Sequence, residues 1–207
     1  MIEGAPWYRW AVTAYDRGYR LLHRLDRPGA QTGPVLRVER RRVWRPLRLA
    51  NGTWLRRGAP IGVLHLNNAR ALALHGDGRG PGAIGFEFRR LVLISLHSIA
   101  AQAADGGPLA SLQAYSATTL FHRRLPMLGF ASALGDRAIW SPLVSGYERA
   151  LLRSLHPASA ARVRGDIRGE AHRLWMSRER LLTMYGCGST VDSPGRRRRA
   201  RPADRCS

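Results

Sequence analysis

The 207-residue chain contains no lysine: all 34 basic residues are arginine, set against 14 acidic residues for a formal charge of +20. A phosphate-contacting surface ordinarily draws on both cations, since lysine is also a good phosphate partner. The absence of lysine beside abundant Ala, Gly and Pro fits a GC-rich coding bias, which makes part of the charge a genomic habit. Cysteine is scarce as well. Cys187 and Cys206 stand late in the chain, with no Cys-x-x-Cys and no histidines at metal spacing, so no metal motif is formed and a reducing cytoplasm is the simplest setting. No apolar run reaches transmembrane length. Glu3 and Arg9 interrupt the N-terminal apolar residues and no apolar core follows, which excludes a secretion signal.

What is present describes a globular protein. A 44% hydrophobic content over this length suits one well-buried domain with a tail. The last twenty residues hold six arginines and two aspartates, leaving 28 arginines against 12 acidic residues, a net +16, on the rest. Such a surface attracts anionic partners at low salt, whether a lipid surface, nucleic acid or an acidic polymer, without specifying which.

The most informative stretch is Leu49 to Asn68, LANGTWLRRGAPIGVLHLNN. Asn51-Gly52 accepts positive φ at both central positions of a type I′ turn, so the run ending at Leu49 should fold back onto Thr53-Trp54-Leu55 as a hairpin. A second turn follows at Gly58-Ala59-Pro60. The run from Ile61 to Leu66 predicts a strand buried on both faces. His65 then points inward or lines a cleft, and Asn67 and Asn68 close the strand as turn-forming amides. His65, Asn67 and Asn68 are the candidate ligand-binding residues.

This stretch, with Ser95-Leu96, Thr118-Thr119-Leu120 to Leu128-Gly129-Phe130 and Leu174-Trp175-Met176-Ser177-Arg178, resembles the YkoP-like domain family over roughly Gly33 to Gly186. The resemblance implies a bacterial domain found alone or attached to polysaccharide deacetylases. It brings no established catalytic residues, and the deacetylase's paired-Asp and His-x-x-x-His motifs are absent. The implied role is an accessory or binding domain linked to envelope polysaccharide or lipid metabolism, without a cofactor.

In chain order, Trp7 to Leu25 reads as an amphipathic helix, with Trp7, Trp10, Tyr15, Tyr19 and Leu22 along one side. It either packs on the core or lies in a membrane interface. Strands are expected over 35–41 and, at an edge because of Pro46, over 43–49. A helix is expected from about Phe86 to Ala104, with Ser95 a satisfied core hydroxyl and His97 at its boundary. A strand over 112–116, a helix over 118–128 and a short strand over 130–134 follow. Ser141-Pro142 opens a helix to Leu155, and Ser177 caps a last helix that Gly186 stops.

Gly80, Gly82 and Gly85 match G-x-G-x-x-G ahead of the Phe86 helix, where backbone amides cradle phosphates in some proteins. Arg79 through Phe130 is similar to the second half of GNAT acyltransferases, whose Arg/Gln-x-x-Gly-x-Gly/Ala loop grips coenzyme A. That resemblance implies an acyl-coenzyme A site at Arg79, Gly80, Gly82 and Gly85, although Ile84 departs from the pattern and no carboxylate is placed as a general base.

The expected fold is α+β: a single domain with a mixed or mainly antiparallel sheet fed by hairpins and packed by about three helices. Residues 1–32 form the amphipathic helix and linker, 33–187 the domain, and 188–207 a disordered Arg-rich tail. The protein is expected in the cytoplasm, either free or peripheral to the membrane.

Overall fold

The structure is a computed structural model that describes residues 32–67, 70, 73–74, 81–119, 125–134, 136 and 171–186. The Trp7 helix, the Ser141 helix, the tail, Asn68, Arg79 and Gly80 lie outside the described residues. Within them the fold is α+β, as expected. Its elements are β1 (Leu36–Arg42), β2 (Leu47–Arg48), β3 (Trp54–Leu55), β4 (Pro60–Leu66), α1 (Pro81–Ala103), β5 (Ala114–Thr119), β6 (His172–Ser177) and α2 (Arg178–Tyr185), with a 3-10 turn at Leu125–Leu128.

A four-stranded sheet runs β1-β4-β5-β6, and β2-β3 forms a separate hairpin. β4 and β5 are parallel; the other neighbours are antiparallel. Parallel neighbours need a long crossover, which α1 supplies. The hairpin forms over the expected residues but with a different turn: Leu49 N–H donates to Thr53 O and Gly52 N–H to Leu49 O, so Ala50 and Asn51 are the central turn residues and Gly52, at φ +87°, follows them, in place of the type I′ turn centred on Asn51-Gly52. Gly58, at φ +85°, makes the second turn. Both positions use the left-handed region that a side chain disfavours.

The sheet separates two apolar clusters. On one side Val38, Tyr115, Leu174 and Met176 meet Leu96, Ile99, Ala103 and Leu181 of the two helices. On the other, Ile61, Ala114 and Trp175 meet Leu47, Leu49 and Leu55 of the hairpin lobe. β4 therefore serves both, which is why it reads as an almost unbroken apolar run. Ser95 is fully buried on α1; its Oγ donates to Leu91 O and accepts from Val35 N–H, tying the entry of β1 to mid-helix. His97 does not join it. Its Nδ1 donates to Tyr185 O at 2.9 Å, and the two rings meet edge to face.

Four elements differ from the sequence reading. The edge strand expected over 43–49 is reduced to Leu47–Arg48, paired with Trp54–Leu55. α1 starts at Pro81, five residues before Phe86, and so takes in Gly82 and Gly85. Proline suits the first helical position, and burial of Ile84 offsets the poor helical propensity of the glycines. Thr118 and Thr119, expected to open a helix, instead extend β5, because they pair with Arg173 and His172. Residues 130–134 form no continuous strand, only bridges from Ala131 to Trp175 and from Leu134 to Arg48.

Tyr115 is 1% exposed, and its Oη has no hydrogen-bond partner among the described residues. Burial pushes its pKa up to about 12, with Arg178 and Arg40 pulling the other way. The folded state thus keeps a proton that the unfolded chain releases near pH 10. Stability from this group is complete below that pH and is lost as pH rises toward 12, by on the order of 2 kcal/mol. Tyr115→Phe, which strands no partner, should leave neutral-pH stability unchanged or slightly higher. Urea titrations from pH 9 to 12 should show a flatter decline in that variant; parallel curves would contradict the assignment.

Candidate functional site

The pairing of β4 with β5 runs from Ile61↔Ala114 to Leu64↔Ala117 and stops there. Both strands continue: β1 holds Leu66 opposite Leu36, and β6 holds Thr119 opposite His172. His65 and Leu66 on one side and Thr118 and Thr119 on the other therefore border a parting at the carboxyl ends of two parallel strands. Ligands of open α/β sheets bind at this kind of position.

On the hairpin-facing side of the sheet, strand alternation places Glu39, His65, Thr118 and Arg173 in a polar strip beyond the apolar cluster. Nε2 of His65 lies 2.9 Å from Oε2 of Glu39, with the side chains 16% and 13% exposed. Arg41 Nε donates to Oε1 of the same carboxylate at 2.8 Å. In the antiparallel register Glu39 faces Val63 and His65 faces Arg37, so the acid and imidazole meet diagonally. On β6, Trp175 Nε1 donates to Asp136 Oδ2 at 2.6 Å, and Arg173 lies 3.6 Å from Oδ1.

Of the residues expected from the sequence, His65 lines this strip, and half-buried Asn67 follows it, its N–H donating to Val35 O. Gly82 and Gly85 are exposed within the first turns of α1, with open space where a Cβ would stand. Ser95, bonded to the entry of β1, marks where α1 passes the parted edge. Fourteen residues separate it from Pro81, so the helix start stands roughly 20 Å along its axis from that level. The glycines and the His65 group are thus brought to different places.

Glu39 was not anticipated. It is the sole acidic residue between Asp26 and Asp77. A lone carboxylate inside an arginine-rich strand was the signal available, because burying a charge requires a partner. Asp136 carried no comparable signal.

A family model, the YkoP domain, matches residues 6–185, so the chain belongs to the YkoP domain family. Comparison with curated proteins and with solved structures found no match. Among the described residues no helix is long and apolar enough to cross a membrane.

Proposed function

We propose that this YkoP domain is a ligand-binding accessory domain serving envelope polysaccharide or lipid metabolism, and that its ligand enters where β4 and β5 part. The observation that carries the reading is the half-buried Glu39–His65 pair beside the last rung of the parallel ladder. A carboxylate and an imidazole locked together present fixed acceptors and donors to ligand hydroxyls, and the Asn67 amide adds one of each. Binding, not turnover, is the activity.

The test is a titration of isotope-labelled protein with N-acetylglucosamine oligomers and with glycerol phosphate, following the His65 ring and the Asn67 and Thr118 amides. Shifts should centre on these residues. Glu39→Gln should weaken binding by about tenfold or more, since a hydrogen bond to a charged group contributes roughly 1.5–3 kcal/mol. Undiminished affinity in that variant, or shifts confined to remote surfaces, would reject the site.

A second reading, an acyl-coenzyme A-dependent acyltransferase, is favoured by the parting of β4 and β5, which gives a pantetheine arm a place to lie. It requires Gly82 and Gly85, with Arg79 and Gly80, to hold the pyrophosphate. In the same experiment acetyl-coenzyme A would shift Gly82, Gly85 and Thr118 together, and Gly82→Val would abolish the effect. Weak shifts spread over the arginines would mark a polyanion effect alone.

A further inference from the structure

The hairpin lobe carries a second surface, separate from the parted strands. Seven arginines lie between Arg40 and Arg57, and no acidic residue occurs from Arg40 to Gly76. Three of the seven are engaged: Arg40 with Pro108 O, Arg41 with Glu39 and Arg42 with Gly58 O. Arg45, Arg48, Arg56 and Arg57 form no ion pair among the described residues and are exposed.

The same lobe exposes three large apolar side chains: Trp44 at 74%, Trp54 at 56% and Leu134 at 74%. Their placement follows from the register. Arg48 pairs with Trp54 on one side and bridges Leu134 on the other, so the three form one row across the hairpin. Leu47 and Leu55, the next pair, point into the core, which turns that row outward. Trp44, exposed on the same lobe, has the Arg57 guanidinium 5.6 Å from its ring centroid.

Leaving two indoles and a leucine in water is unfavourable, and grouping them with four exposed arginines that form no ion pair among the described residues suits one environment well. Indoles settle at the headgroup level of a bilayer, leucine enters the acyl boundary, and guanidinium groups pair with lipid phosphates. Stacking on nucleic acid would use the tryptophans and arginines but gives exposed Leu134 no role. We propose that the β2–β3 lobe docks the domain on an anionic lipid bilayer, with Trp44, Trp54 and Leu134 entering the interface and Arg45, Arg48, Arg56 and Arg57 contacting lipid phosphates.

The test is co-sedimentation of the full chain with vesicles of phosphatidylcholine containing phosphatidylglycerol, and with phosphatidylcholine alone. The wild type should bind the anionic vesicles and not the neutral ones. Converting the four arginines to glutamine should lower the partition coefficient by roughly fivefold per residue. Trp44→Ala with Trp54→Ala should lower it by at least about tenfold. These side chains are exposed, so thermal melts of both variants should match the wild type. Trp7→Ala with Trp10→Ala should leave binding unchanged. Retention of binding in both lobe variants, or loss only in the Trp7 and Trp10 variant, would overturn the proposal. So would dependence on the arginines alone, with equally tight binding of a single-stranded oligonucleotide.

Discussion

Gly62→Val should lower the unfolding free energy by about 3 kcal/mol or more, a large share of the roughly 5–15 kcal/mol that holds a domain together. Gly62 is central in β4, opposite Arg40 on β1 and Tyr115 on β5. Space is the reason for glycine here. A Cβ at this position would stand 2.7 Å from Cδ1 and 2.9 Å from Cε1 of Tyr115, and 3.0 Å from Cγ1 of Val38. The tyrosine ring is enclosed by Leu96, Ile99 and Met176 in the helix-side core and has nowhere to retreat. Alanine should show the same effect at reduced size, about 1–3 kcal/mol. Urea denaturation gives the measure, and a double-mutant cycle with Tyr115→Ala gives the cause. Removing the ring should recover much of the loss, as coupled neighbours are non-additive. A Gly62→Val chain with an unshifted midpoint would refute this account.

Trp175→Ala should cost about 3–5 kcal/mol, the range for emptying a buried aromatic site. The residue is 4% exposed and sits at the junction of sheet and lobe. Its main chain exchanges two 2.8 Å hydrogen bonds with Ala131, while its ring packs in the hairpin-side cluster. Trp175→Phe keeps most of the apolar volume but deprives Asp136 of its 2.6 Å donor, leaving that 10%-exposed carboxylate with Arg173 at 3.6 Å. That loss should cost about 1–3 kcal/mol. Thermal denaturation of the two variants separates cavity from hydrogen bond. If alanine proves no worse than phenylalanine, the ring does not anchor the lobe. Trp175→Ala should also weaken vesicle binding through the lobe without touching any lipid-facing side chain.

What the sequence determined by itself were the features set by a few adjacent residues. Gly52 and Gly58 specify turns because positive φ is cheap for glycine, and Ser177 caps α2 by accepting from Arg180 N–H, three residues on. The apolar run over β4 predicts the burial of Ile61 and Gly62, while Leu66 at its end is exposed, and the family is legible because its motifs fall on these local elements. Tertiary structure decided whatever depended on residues far apart in the chain. Thr118 and Thr119 are strand because β6, more than fifty residues later, supplies their partners. Glycines 82 and 85 are helical because packing of the buried Ile84 between them holds the first turns of α1. The Glu39–His65 pair exists because an antiparallel register sets residues 26 apart across one seam, while the neighbouring parallel seam ends at Leu64. Local φ/ψ preference is written in neighbouring residues, whereas register and the ends of ladders are set by packing the whole sheet against α1 and the lobe.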